Sequence, residues 1–108
     1  MGAPNVVRGG SHSGNVNAVD LARKGLLDVL SSDYVPSSLL HAAFLLTEQA
    51  GFSVPDAVAT VTANPARFAR LPDGGEIAAS KRADFCRVRT TGGIPTVVAV
   101  WREGRRVV

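Results

Sequence analysis

The sequence predicts an α/β protein built in two unlike halves, and three observations carry that expectation. Leu26-Leu27-Asp28-Val29-Leu30 is a short apolar run ending in Ser31-Ser32-Asp33, the composition of a buried strand with polar groups at its C-terminal end. Leu39, Leu40, Ala43, Phe44 and Leu46 then follow the helical period of 3.6 residues. Finally, Ala83 to Val88 and Thr96 to Trp101 have strand composition in a tail of different charge. Residues 1–64 carry three Lys+Arg against five Asp+Glu, whereas residues 65–108 carry nine against four.

Taken in order, the first 16 residues hold Gly2, Pro4, Gly9, Gly10 and Gly14 among small polar residues and read as a loop. Val16 to Lys24 reads as a short helix, capped by Asn15 or Asn17 and stopped by Gly25. After the Leu26–Leu30 run, Pro36 and Ser37 open the periodic helix and Gly51 closes it. Ser53 and Asp56 resemble a capping box with Pro55 in the first turn, so a second helix is expected to run to about Ala63. A junction is expected near Asn64-Pro65, because proline disfavours a helical residue before it. Asp73-Gly74-Gly75 reads as a turn, and Glu103-Gly104 as a tight connection to Arg106-Val107-Val108.

Composition bounds the function. The chain has 108 residues, 45% hydrophobic and 19% charged, enough apolar material for a core and too little charge for a disordered chain. A closed (β/α)8 barrel takes about 250 residues, so a complete one is excluded. The stretch Leu39 to Leu46 is broken by His41 and is far shorter than the roughly 20 residues of a membrane span. Met1-Gly2-Ala3-Pro4 lacks the basic and apolar regions of a secretory signal, and Cys86 is the only cysteine; a cytoplasmic location is expected.

Several residues invite a chemical reading. Asp33 follows the apolar run at the position where α/β sheets and barrels place their chemistry; a capping or turn aspartate ahead of the next helix is the plainer alternative. Gly9-Gly10-Ser11-His12-Ser13-Gly14-Asn15, with Arg8 before it, is rich in groups that hold phosphate, though it lacks Walker A spacing and a merely flexible loop fits equally. His12 and His41 form no local metal motif, and His41 reads as a structural helix histidine. Cys86 lies in a strand pattern and reads as core. The arginines at 67, 70, 82, 87, 89, 102, 105 and 106 are not interleaved with aromatics, so they read as a solvated basic face and no nucleic-acid partner is expected.

Gly2 to Asn15 together with Gly25 to Pro36 resembles the C-terminal part of the amidohydrolase-superfamily enzymes of phosphonate breakdown. Thr62-Ala63-Asn64-Pro65-Ala66, Gly74 to Ala78, Arg82-Ala83-Asp84-Phe85 and Val100 to Gly104 resemble the tail shared more widely in that superfamily. The resemblance implies that residues 1–64 are the end of a metal-dependent hydrolase barrel, with its last strand and helices. Residues 65–108 would supply closing strands of a small β-sandwich. It implies that Asp33 contacts a divalent metal, zinc or manganese, and takes a proton from the attacking water. Hydrolysis between the α- and β-phosphates of a ribosyl-phosphonate triphosphate would release pyrophosphate. By position and composition, Arg8, Ser11, His12, Ser13 and Asn15 would hold phosphate oxygens.

The remaining metal ligands of such enzymes are absent from this sequence, so the chain reads as a fragment, inactive alone. Either a preceding N-terminal portion or self-association is expected to accompany it, with a phosphorylated ribose-phosphonate as the small-molecule partner and no membrane. A cyclic-amide hydrolase or deaminase fragment is the first alternative, and it would not need the phosphate-suited loop. A non-catalytic interaction domain is the second, and it predicts a compact monomer with a sharp thermal transition.

Overall fold

In the computed structural model, which describes residues 1–10, 14 and 16–108, five short helices precede a three-stranded antiparallel sheet. The helices are α1 (Ala3–Arg8), α2 (Ala18–Arg23), α3 (Ser38–Gln49), α4 (Val54–Ala59) and α5 (Ala63–Phe68). The strands are β1 (Phe85–Thr91), β2 (Ile94–Arg102) and β3 (Arg105–Arg106), in spatial order β1-β2-β3. Among the described residues no helix is long and apolar enough to cross a membrane.

The helical layer is organised by α3, which the apolar period locates correctly. Ala42, Ala43 and Leu46 are fully buried there, and α1, α2 and α4 pack around it with Ala3, Val6, Ala18, Ala22 and Ala57. Small residues at these contacts let short helices approach closely and still exclude water. Asn17 is the cap of α2: its Oδ1 accepts from Val19 N at 2.9 Å and Asp20 N at 3.3 Å, satisfying donors that the helix itself leaves open. Ser53 does the same for α4, accepting from Asp56 N at 3.2 Å.

Four expectations are corrected. Residues 3–8 form a packed helix where the glycines suggested loop: Pro4 sits in its first turn and Ala3, Pro4 and Val6 are buried. Gly9 closes it at φ 77°, with Gly9 N bonding Val6 O and Gly10 N bonding Asn5 O, a Schellman end that needs a residue comfortable at positive φ. The run Leu26–Leu30 forms no strand, because the described residues offer only one short parallel neighbour, bridged at Gly2 and Ser31. It is extended nonetheless, with Leu27 and Leu30 buried and Leu26 66% exposed.

Helix α4 ends at Ala59 rather than near Ala63, and Asn64-Pro65 lies inside α5, where a proline in the first turn removes no needed donor. Asn64 Nδ2 also donates to Asp28 O at 2.8 Å, tying α5 to the extended segment. Cys86 is exposed rather than core, in a strand where only Val88 is even partly buried.

Both hairpin turns use positive φ at their two central residues, Gly92-Gly93 (58° and 79°) and Glu103-Gly104 (50° and 77°), the geometry that matches strand twist. Arg87 faces Ala99 and Val88 faces Val97, so Val98 is the extra residue of a bulge in β2. Phe85, Trp101 and Arg106 form a cross-strand row: the rings stack at 5.0 Å and the guanidinium sits 5.9 Å from the Trp101 ring. The arginines of the tail are solvent-exposed, as expected.

The core defined by α3 predicts an asymmetric response. Leu46→Ala should lower stability by about 2–5 kcal/mol, whereas Leu26→Ala should change it by less than about 0.5 kcal/mol, both read from urea unfolding. Equal losses would show that the 26–30 segment is buried on both sides after all.

Candidate active site around Asp33

The site starts from a short parallel pairing. Ser31 N donates to Met1 O at 2.8 Å and Ala3 N donates to Ser31 O at 2.7 Å, which sets the end of the extended segment beside the start of α1. The chain then turns, with Val35 N bonding Ser32 O at 3.1 Å, and Asp33 takes the left-handed conformation at φ 51°. Aspartate, like asparagine, tolerates that region better than most residues other than glycine. Asp33 does not cap α3, whose N-cap residue is Ser37, so the capping alternative is removed.

Gly2 explains how the carboxylate fits. A Cβ on Gly2 would lie 2.7 Å from Asp33 Oδ2, 3.2 Å from its Cβ and 3.3 Å from its Cγ, so a larger residue there would push the carboxylate aside. The Asp33 carboxylate is exposed and has no hydrogen-bond or ion-pair partner among the described residues. It is therefore available to accept a proton or to bind a cation.

Arg8, the last residue of α1, comes back to the same place: its Nη1 donates to Tyr34 Oη at 3.3 Å, on the residue next to Asp33. This bond links the end of α1 to the turn that carries Asp33. The ends of the glycine-rich loop are also fixed. Asn17 Nδ2 donates to Gly9 O at 2.9 Å, and Asn5 both donates to Val16 O at 3.0 Å and accepts from Ala18 N at 2.9 Å. Ser11, His12, Ser13 and Asn15 lie outside the described residues.

Of the residues singled out from sequence, Asp33 lies in the turn and Arg8 reaches that turn through Tyr34. Gly2, Asn5 and Tyr34 were not singled out as site residues. Tyr34 is signalled only by its adjacency to Asp33, and Gly2 and Asn5 act through tertiary contacts that no local pattern announces. His41 is half-buried on α3 and has no role here. Among the described residues no three His, Cys, Asp or Glu side chains gather to hold a metal ion. Asp33 by itself is one donor of the three or four that a zinc or manganese ion takes, so these residues alone do not fit a resident metal.

Comparison with known proteins bears on this geometry. Over 109 aligned residues the chain is 52% identical to alpha-D-ribose 1-methylphosphonate 5-triphosphate diphosphatase of Escherichia coli (strain K12), covering 99% of this chain and 29% of that enzyme. It is 37% identical over 84 residues to dihydroorotase of Methanopyrus kandleri, covering 62% of this chain and 20% of that enzyme. Both relatives are hydrolases, and the match fits the reading of this chain as a fragment of such an enzyme. The chain spans less than a third of the length of either relative. No protein-family model matches the chain, and no solved structure does.

The contact between Gly2 and Asp33 makes opposite predictions for two substitutions. Gly2→Ala should destabilise by at most about 1 kcal/mol, because the exposed carboxylate must swing aside. Asp33→Gly should be neutral or stabilising by up to about 1 kcal/mol, because it relieves the left-handed strain. Thermal unfolding of both variants reads the difference, and a stabilising Gly2→Ala would show that the carboxylate is not packed there.

Proposed function

We propose that this chain is the C-terminal part of an amidohydrolase-type phosphoanhydride hydrolase acting in phosphonate breakdown. In this reading the substrate is alpha-D-ribose 1-methylphosphonate 5-triphosphate, cleaved between its α- and β-phosphates to release pyrophosphate. The observation that carries it is the unpartnered Asp33 carboxylate, held in a left-handed turn that Arg8 reaches through Tyr34, in a chain 52% identical to a diphosphatase along nearly its whole length. Residues 1–64 would then be the end of the barrel and 65–108 the closing strands of a β-sandwich.

Within that reading each residue has a task. Asp33 accepts the proton from the water that attacks phosphorus, a role open to a carboxylate with no competing partner. Arg8 binds phosphate oxygens through the donors that Tyr34 does not occupy, since a guanidinium presents five. The loop residues Ser11, His12, Ser13 and Asn15 would add hydroxyl, imidazole and amide donors to the same oxygens. A divalent ion would be completed by groups beyond those described here. The whole enzyme would work in the cytoplasm, with the preceding portion of the polypeptide or a second copy covering the exposed sheet.

The dihydroorotase likeness supports a second reading, a cyclic-amide hydrolase, on the strength of 37% identity over 84 residues. Kinetics on a longer protein carrying this segment separates the two. Asp33→Asn should lower kcat for pyrophosphate release by about 100-fold or more, and Arg8→Ala should raise KM by about tenfold. Dihydroorotate formation that is lost on Asp33→Asn, with no pyrophosphate release in the parent, would favour the second reading. The isolated 108-residue chain should release no pyrophosphate with zinc or manganese present.

A further inference from the structure

We propose that the cavity at the C-terminal end of α5 is a binding site for a small organic phosphate. The cavity has a volume of about 270 Å³, and its charged lining consists of Arg67, Arg70, Lys81 and Glu76. Three cations against one carboxylate leave two positive charges, the complement of a phosphate monoester near neutral pH. The site shares no residue with the Asp33 cluster and stands whether or not the hydrolase reading does.

Two features show that the lining is held in place. Gly75, at φ 88°, sits so close to α5 that a Cβ there would be 2.6 Å from Ala66 Cβ and 2.9 Å from Thr62 O, so the loop that forms one wall is seated against the helix. Lys81 is partly buried, with its Nζ donating to Pro72 O at 2.8 Å and lying 3.3 Å from Glu76 Oε1. An ammonium fixed in this way loses little further freedom when a ligand binds.

Arg70 supplies the most specific argument. Leu71 N bonds Ala66 O at 2.8 Å and Arg70 N bonds Arg67 O at 3.1 Å, the hydrogen bonds of a Schellman helix end, and Arg70 occupies its left-handed position at φ 57°. Glycine takes that position without strain; arginine does not. The Arg70 guanidinium also has no hydrogen-bond or ion-pair partner among the described residues. Arg67 donates only to Asn64 Oδ1, at 3.4 Å, and keeps its other donors. Two such planar forks suit phosphate oxygens, and the apolar wall of Leu71 and Pro72 suits a neutral organic body.

The test is calorimetric titration of the 108-residue chain with phenyl phosphate and with inorganic phosphate at one ionic strength, with far-UV circular dichroism recording the helical signal. Saturable binding is expected, tighter for phenyl phosphate. Arg70→Gly should raise Tm by about 4 °C by relieving the left-handed strain, while weakening phenyl phosphate binding about tenfold. Arg70→Asn, which also tolerates that backbone, should show the same loss. Arg89→Ser, on exposed β1, should change affinity by less than roughly twofold. Any of three results overturns the proposal: no saturable binding or no helical signal in the parent chain, unchanged affinity in both Arg70 variants, or an equal loss in Arg89→Ser.

Discussion

The parallel contact between residues 1–3 and 29–31 is the constraint on which the candidate site depends. It consists of a few backbone hydrogen bonds, Met1 N to Val29 O at 3.0 Å, Ser31 N to Met1 O at 2.8 Å and Ala3 N to Ser31 O at 2.7 Å. These bonds fix where α1 begins, and so bring Gly2 under the Asp33 carboxylate and carry Arg8 back to Tyr34. Without them Gly2 would not be set against Asp33.

Packing around α3 supports this contact from behind. Val6 of α1 and Leu30 of the extended segment belong to the same buried cluster as Leu46, so the hydrophobic term and the backbone pairing reinforce each other. The tail follows a different logic. Its sheet holds Ala99 as the one buried residue among those described, and its stability rests on tight turns and a stacked row at Phe85, Trp101 and Arg106. Asp84 adds to this by accepting from Glu103 N at 2.7 Å, which ties the last hairpin to the start of β1.

What could be read from the sequence was local, and what could not was tertiary. Helix α3 was legible from its period and stops, α2 from Asn17 and Gly25, and the last hairpin from Glu103-Gly104, because each signal lies within a few residues. Helix α1 was hidden because Gly2, Pro4, Gly9 and Gly10 outweigh Ala3 and Val6 in composition, although that same Pro4 and Gly9 start and stop the helix. The Leu26–Leu30 run has strand composition, yet a strand requires neighbours, and composition does not say whether they are there. Cys86 was misplaced for the same reason. Asp33 was legible as a position at the end of an apolar run, but its left-handed backbone and its contact with Gly2 depend on chain segments some thirty residues apart.

The most direct test of this account is amide hydrogen exchange at Ala3 and Ser31, the two donors that join the paired segments. Protection close to that of the α3 core amides is the result this structure predicts, because breaking the pairing would require opening the packed cluster behind it. Exchange at the rate of an unstructured chain, with α3 still protected, would show that the pairing does not persist and that nothing holds Gly2 against Asp33.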